Sequence, residues 1–169
     1  MALSNKFGSM LLTTGNKSEI AVGYSTIYGD MCGGYNPIKD LYKTRLYSIC
    51  KWRNSSHEVW MKGPKGSVIP KSILEKSPTA ELRPNQTDQD SLPPYEVLDS
   101  ILESLIENDM PISEIVKEGH DYNIVKKIEK LVYQSEYKRF QSAPGVHLTK
   151  KSFQLSRRYP IVQNWRDKL

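Results

Sequence analysis

The chain has 169 residues, of which 38% are hydrophobic and 25% charged, so it is long enough for one α/β domain with a hydrophobic core and short for two. It has no apolar run long enough to cross a membrane, no signal-peptide pattern, and no CxxC pairing of Cys32 and Cys50, so we expect a cytoplasmic protein without disulfides or zinc. The net charge of +5 permits anionic partners, but no nucleic-acid recognition motif accompanies it, so we expect neither a nucleic-acid nor a membrane partner.

The chain begins with residues that resemble the middle of a helix, since nothing near Met1 caps one. The apolar run over residues 9–13 then predicts a short buried strand, and Gly15 permits a tight turn after it. Asn16, followed three positions later by Glu19, is a capping-box pattern that predicts the start of a helix. The apolar positions of that helix are Ile20, Tyr24, Ile27 and Tyr28. A helix N-terminus reached from a strand presents free N–H groups that suit a phosphate or a carboxylate, although most such units bind nothing.

The next helix is predicted to begin with Asp40 as its N-cap, after a glycine-rich loop over residues 29–36. Its apolar face would comprise Tyr42, Leu46, Ile49 and Cys50. Residues 55–67 are polar and are predicted to form a loop. Pro70 then begins a helix of one to two turns that ends near Glu75.

Residues 79–94 are polar and show no apolar periodicity that would fix them on a core. A stretch of this length inside a compact domain is either disordered or a functional lid. We therefore expect it to be the most mobile internal segment of the unliganded protein.

The remainder is predicted to be helical, followed by a basic tail. Tyr95 opens an amphipathic helix, a short helix from Ile112 stops at Gly119, and a third begins at Asp121 or Tyr122. The inward positions are Val97, Leu98, Ile101, Leu102, Leu105, Ile106, Ile112, Ile115, Val116, Val125, Ile128, Leu131 and Val132. The third helix carries Lys138 and Arg139 at its far end, where basic residues are ordinarily surface charges that complement the helix dipole. Residues 145–169 form an irregular basic tail, which is usually a solvated surface.

Several short motifs follow one another in a fixed order. They are Thr14-Gly15-Asn16 with Glu19, then Tyr28-Gly29-Asp30, Gly33-Gly34, the run from Lys39 to Thr44, the run from Pro78 to Pro84, and the run from Asp88 to Tyr95. In this order they resemble NAD synthetases, and more closely the synthetase domain of the glutamine-dependent type. The resemblance extends from Leu3 to Ile161, which is nearly the whole chain.

The resemblance implies an α/β fold of the adenine-nucleotide α-hydrolase kind, with a Rossmann-like parallel sheet and with residues 76–94 as the loop that closes over ATP. The Ser-Gly-Gly-x-Asp-Ser phosphate loop and the glutaminase domain of the family are absent, so residues 1–169 resemble an incomplete C-terminal portion of the synthetase domain with a helical end. The implied activity is the ATP-dependent amidation of deamido-NAD (nicotinate adenine dinucleotide) to NAD. It proceeds through an acyl-adenylate, uses ammonia from glutamine, and releases pyrophosphate and AMP.

The resemblance also implies roles for six residues. ATP would contact Thr14, Lys43 and Thr79; deamido-NAD would contact Glu19, Asp30 and Lys138; Mg²⁺ would be held by Glu19 and Thr79; and Asp30 and Lys43 would be the catalytic residues. Each has an ordinary alternative, such as a turn for Thr14 and Asp30 and the capping box for Glu19. One departure is Ile27, because ammonia-dependent relatives have a lysine before Tyr-Gly-Asp.

The missing phosphate loop favours an alternative from another class, a non-catalytic truncated remnant or interaction subunit. For the same reason we expect that the isolated chain does not make NAD. The chain should be stable only with a partner that covers its open edge, either a second copy in a homo-oligomer or a complementary N-terminal fragment.

Overall fold

The computed structural model describes residues 1–79, 84, 86–153 and 155–167. Over these residues the chain is mainly helical, and two short irregular helices interrupt the regular ones. The α-helices are α1 (Ala2–Phe7), α2 (Lys17–Val22), α3 (Lys43–Ser55), α4 (Lys71–Glu75), α5 (Tyr95–Leu102), α6 (Ile112–Lys117), α7 (Tyr122–Gln134) and α8 (Glu136–Gln141). A 3-10 turn covers Asp88–Asp90, and a π-helical turn over Glu103–Glu107 prolongs α5. No helix in the described part of the chain is long and apolar enough to cross a lipid bilayer.

The core lies where α2, α5, α6 and α7 meet, and its composition confirms the predicted amphipathic helices. Leu98, Ile101 and Ile106 are completely buried along α5 and its π-helical turn. Val125 and Ile128 are completely buried on the inward face of α7. Burial of each such side chain contributes about 1.5–3 kcal/mol relative to leaving it exposed. The helical end of the chain therefore forms a local hydrophobic core.

Three helix boundaries differ from the prediction. α2 ends at Gly23, which adopts a left-handed conformation with φ 71°, so Tyr28 lies outside the helix and is 90% exposed. The third predicted helix is broken at Ser135, where α7 ends and α8 begins. α3 begins at Lys43 rather than after Asp40, and none of its residues is buried, so the predicted apolar face is wrong for Leu46, Ile49 and Cys50, whereas Tyr42 at the N-cap is buried in the core.

The N-terminus of α3 is capped by a side chain from another helix. The carboxylate of Asp99, on α5, accepts hydrogen bonds from the backbone N–H and the hydroxyl of Thr44 at 2.9 and 2.8 Å. The backbone N–H is one of the groups that a local N-cap would otherwise satisfy. Asp40 was the wrong cap because a carboxylate distant in sequence occupies that position.

The predicted buried strand over residues 9–13 is also wrong within the described residues. The chain there forms a single parallel bridge, between Leu12 and Tyr35, and a second parallel bridge joins Asn36 to Gly145. Leu12 is 52% exposed and Met10 69%. These two side chains of the run that was expected to be buried are therefore exposed, whereas Thr13 at its end is buried.

The basic tail is only partly a solvated surface. Phe153 and Arg157 are buried, and Arg139 at the end of α8 is buried as well. The Arg139 guanidinium pairs with Glu136 at 2.7 Å and donates to the carbonyl of Ala21 at 2.7 Å. The pattern of charges in the sequence could not predict the burial of these arginines, because a buried arginine needs hydrogen-bond and ion-pair partners that only the folded chain brings close.

The predicted lid is partly anchored. Residues 80–83 and 85 of that segment lie outside the described residues. Leu92 is buried in the core, and the backbone N–H of Asp88 donates to the carbonyl of Pro78 at 3.0 Å. Leu92 therefore fixes one end of this segment on the core, although the segment shows no apolar periodicity.

Candidate functional site

The turn that leads into α2 is built by the predicted capping box. Asn16 accepts a hydrogen bond from the backbone N–H of Glu19, and the Glu19 carboxylate accepts one from the backbone N–H of Asn16, both at 3.1 Å. Asn36 donates to the carbonyl of Gly15 at 2.7 Å and fixes the turn from the other side. Thr14 lies at this turn and is exposed, so its hydroxyl is accessible to a ligand.

Glu19 also forms an ion pair with Lys43, another of the predicted site residues. The Lys43 ammonium lies 2.9 Å from the Glu19 carboxylate, and both side chains are less than one-fifth exposed. The ammonium also lies 5.3 Å from the centroid of the Tyr95 ring, within the range of a cation–π contact. One oxygen of the Glu19 carboxylate thus accepts from the backbone N–H of Asn16, and the other accepts from Lys43.

The backbone around Lys43 is held by buried hydrogen bonds. The Lys43 N–H donates to the hydroxyl of Ser18 at 2.9 Å, and that hydroxyl donates to the Asp99 carboxylate at 2.5 Å. Burial raises the pKa of Asp99, while the hydrogen bonds from Ser18 and Thr44 oppose that shift. These contacts fix the backbone position from which the Lys43 side chain extends toward Glu19.

Two further predicted site residues, Asp30 and Lys138, line one cavity. Asp30 and Lys138 lie on the wall of a cavity of about 430 Å³ at the C-terminal end of α2. Its lining residues are Gly23, Tyr24, Ser25, Thr26, Gly29, Asp30, Gln86 and Lys138, and we call it the Asp30 cavity. Lys138 donates to the carbonyls of Gly23 and Ser25, each at 2.7 Å, and Asp30 accepts from the N–H of Thr26 at 2.5 Å. Both charged groups are thus held by the backbone of a single loop.

Thr79 lies beside the described end of the lid and is partly buried. The structure does not bring it and Glu19 into a shared metal site. Among the described residues, no group of three or more His, Cys, Asp or Glu side chains is placed to hold a metal ion. Because both oxygens of Glu19 are already bonded, the described residues do not by themselves fit Mg²⁺, which prefers several oxygen ligands.

A buried ion cluster near the site was missed from the sequence. The Lys17 ammonium is completely buried and pairs with Asp40 at 2.9 Å and with Glu107 at 2.5 Å. Asp40 accepts from the N–H groups of Leu148 and Thr149 at 2.7 and 2.8 Å. Burial disfavours its charged form, but the hydrogen bonds from Lys17, Leu148 and Thr149 outweigh that and hold the pKa of Asp40 below its ordinary value.

The cluster fastens the tail to the loop that carries the site. Glu107 accepts from the N–H of Lys151 at 2.7 Å and from the hydroxyl of Tyr42 at 3.1 Å. One signal was available, since Lys17 occupies the first turn of α2, where a positive charge opposes the helix dipole. A lysine at this position indicates a nearby acidic partner that offsets the unfavourable interaction with the helix dipole.

Comparison with known proteins identifies the family to which the chain belongs. A family model described as NAD synthase matches residues 1–142, so the chain belongs to the NAD synthase family. The resemblance predicted from the motifs is therefore confirmed.

Individual relatives agree with this assignment. The chain is 66% identical over 167 residues to the glutamine-dependent NAD(+) synthetase of Rhodobacter capsulatus, covering 99% of this chain and 30% of that protein. It is 50% identical over 169 residues to the glutamine-dependent NAD(+) synthetase of Thermotoga maritima, covering 100% of this chain and 28% of that protein. The chain thus spans less than one-third of the length of these relatives.

Solved structures show the shared fold. A crystal structure of a glutamine-dependent NAD(+) synthetase from Cytophaga hutchinsonii matches with a TM-score of 0.70 at 24% identity, over 96% of this chain and 26% of that chain. The NMN synthetase of Francisella tularensis matches with a TM-score of 0.60 at 23% identity, over 82% of this chain and 47% of that chain. The helices described above are therefore arranged as in the corresponding part of these synthetases.

Proposed function

We propose that this chain supplies the C-terminal part of a ligase that amidates deamido-NAD to NAD at the expense of ATP. The observation that carries the proposal is the Asp30 cavity, which brings together Asp30 and Lys138, two residues assigned to deamido-NAD from motifs far apart in the sequence. The match to the NAD synthase family supports the same reaction class. On this proposal the two parallel bridges belong to the edge of a Rossmann-like sheet.

The proposed reaction has two steps. A carboxylate oxygen of the nicotinate attacks the α-phosphorus of ATP, and the bond to the leaving pyrophosphate breaks. Ammonia derived from glutamine then attacks the acyl carbon of the adenylate, the carbon–oxygen bond to AMP breaks, and the nitrogen loses a proton. Both steps depend mainly on positioning and on charge neutralisation rather than on a protein nucleophile.

The residues divide between the two substrates. Lys43 is proposed to leave Glu19 and neutralise charge on the ATP phosphates, since its ammonium ends a flexible stem and is only partly buried. Thr14 and Thr79 are proposed to contact ATP through their hydroxyls. Asp30 is proposed to lie near the nicotinate and the incoming ammonia, and Lys138 to balance a phosphate of the dinucleotide.

A second candidate is a non-catalytic interaction subunit. The Glu19–Lys43 ion pair favours it, because both groups satisfy each other without a ligand. The two candidates differ in a measurable way, since only the first requires the Asp30 cavity to bind the dinucleotide.

Calorimetric titration with deamido-NAD tests the proposal. We expect the wild-type chain to bind, and the variants Asp30→Asn and Lys138→Met to bind more weakly, because charge-assisted hydrogen bonds to the ligand would be lost. Lys130→Met is the matched control, because Lys130 is exposed on α7 and does not line the cavity. Equal binding by Lys138→Met and wild type would contradict the assignment of the cavity, and failure of the wild-type chain to bind would favour the interaction subunit.

A further inference from the structure

Tyr24 is another of the residues that line the Asp30 cavity. The side chain of Tyr24 packs against the hydrophobic core. Its hydroxyl oxygen is buried and has no hydrogen-bond partner among the residues that the structure describes. Buried hydroxyl groups nearly always have a partner, so an unpaired one on a cavity wall points to a group that the cavity receives.

A second unpaired oxygen stands close to this hydroxyl. Asp88 is 4% exposed, and one oxygen of its carboxylate accepts a hydrogen bond from the Tyr95 hydroxyl at 2.6 Å. The other oxygen, Oδ1, is buried and has no partner among the described residues. Burial raises the pKa of Tyr24 most, and the charge of Asp88 and its hydrogen-bonding carboxylate raise it further. The two groups are therefore near neighbours that interact in the unliganded protein.

We propose that Tyr24 is a ligand-binding residue of the Asp30 cavity and that Asp88 is a positioning residue that acts through it. When Oδ1 of Asp88 accepts the hydroxyl proton, the Tyr24 oxygen turns its lone pairs toward the cavity. A hydroxyl or N–H group of the ligand then donates to that oxygen. The ligand class is a sugar-bearing nucleotide, and the identity of the ligand as deamido-NAD, with a ribose hydroxyl as the donor, rests on the proposed function.

Asp88 also connects the two groups of predicted site residues. The hydroxyl of Tyr95 holds Asp88, and the ring of the same tyrosine lies under the Lys43 ammonium. The carboxylate thus joins the Lys43 side of the site to the Asp30 cavity through two tyrosines.

Calorimetric titration of deamido-NAD into the full chain tests the proposal. Tyr24→Phe removes only the hydroxyl, and we expect it to weaken binding by about two- to tenfold, the effect of one neutral hydrogen bond. Asp88→Asn should weaken binding to a similar extent, and the double variant no further, because the two residues act through one contact. Tyr28→Phe, on the same loop and 90% exposed, is the matched control and should bind as wild type does.

The outcomes separate this inference from the proposed function. Binding by wild type that Tyr24→Phe leaves unchanged overturns the role of Tyr24 and leaves the proposed function standing. Additive losses in the double variant overturn the role of Asp88. A wild-type chain that does not bind deamido-NAD overturns the proposed function and this inference with it.

A measurement without ligand tests the positioning role separately. In chain labelled with ¹³C at the tyrosine ring, the Tyr24 signal is assigned from its loss in Tyr24→Phe and titrated with pH. We expect the pKa of Tyr24 to be lower in Asp88→Asn than in wild type, and an unchanged pKa would overturn the role of Asp88. If Asp88→Asn melts at a much lower temperature, Asp88→Glu, which keeps the charge but moves it, is measured in its place and should weaken binding as well.

Discussion

Replacement of Lys17 by methionine is expected to destabilise the chain strongly. The ammonium is completely buried and neutralises Asp40 and Glu107, which are 2% and 5% exposed. Methionine keeps most of the apolar stem but leaves two carboxylates buried without a counter-charge. Breaking a buried ion pair in this way costs about 3–5 kcal/mol, which is a large part of the 5–15 kcal/mol that typically stabilises a domain.

Urea denaturation followed by circular dichroism measures this loss. Lys43→Met is the matched control, because the Glu19–Lys43 pair is partly exposed and its loss should cost about 1 kcal/mol or less. A Lys17→Met variant that loses no more than Lys43→Met would refute the conclusion that the cluster holds the tail on the body of the domain.

The pH dependence of the same loss follows from Asp40. Its pKa is lower in the folded chain than in the unfolded chain, so its ion pair contributes stability above about pH 4 and loses it as the pH falls through the folded-state pKa. The difference in stability between wild type and Lys17→Met should therefore shrink as the pH is lowered below about 4. A difference that stays constant down to pH 3 would show that the charge of Asp40 is not involved.

Three further substitutions test other parts of the structure. Gly23→Ala should destabilise the chain strongly, because φ is 71° and an added Cβ would lie 2.2 Å from the Ser135 hydroxyl. Gly8→Ala, with φ 63° and open space around it, should cost only the backbone strain of about 1 kcal/mol, and thermal melts of the two variants measure the difference. Asp99→Ala should cost about 1–2 kcal/mol and reduce helical circular dichroism, since α3 loses its cap, while Glu96→Ala on the exposed side of α5 should be nearly neutral. Tyr42→Phe should cost about 1 kcal/mol in urea denaturation through loss of its hydrogen bond to Glu107, and a neutral result would contradict the assigned contact.

The helical end of the fold could be predicted from the sequence because its signals are local. Leu98, Ile101 and Ile106 recur at helical spacing, and Asp121 caps α7 by accepting from the N–H of Ile124 as expected. The capping box of Asn16 and Glu19 was predictable for the same reason. Each of these features depends on residues within one or two turns of each other.

The features that were missed depend on residues far apart in the chain. Asp40 was expected to cap α3, but Asp99 performs that role and Asp40 binds Lys17 and the tail. Arg139 and Arg157 were expected on the surface and are buried by contacts with distant segments. Leu12 was expected in a buried strand, which requires neighbouring segments that its own sequence cannot specify. The family motifs, by contrast, assigned Asp30 and Lys138 to the same ligand, and both residues line one cavity. No local sequence pattern would have related these two residues.

The most direct test of the central claim is a crystal structure of the chain grown with deamido-NAD. We predict density for the dinucleotide in the Asp30 cavity, with a carboxylate or phosphate oxygen within hydrogen-bond distance of the Lys138 ammonium and the nicotinate ring beside Asp30. Density for the dinucleotide at another place on the chain, or an Asp30 cavity that stays empty at saturating ligand, would contradict the account.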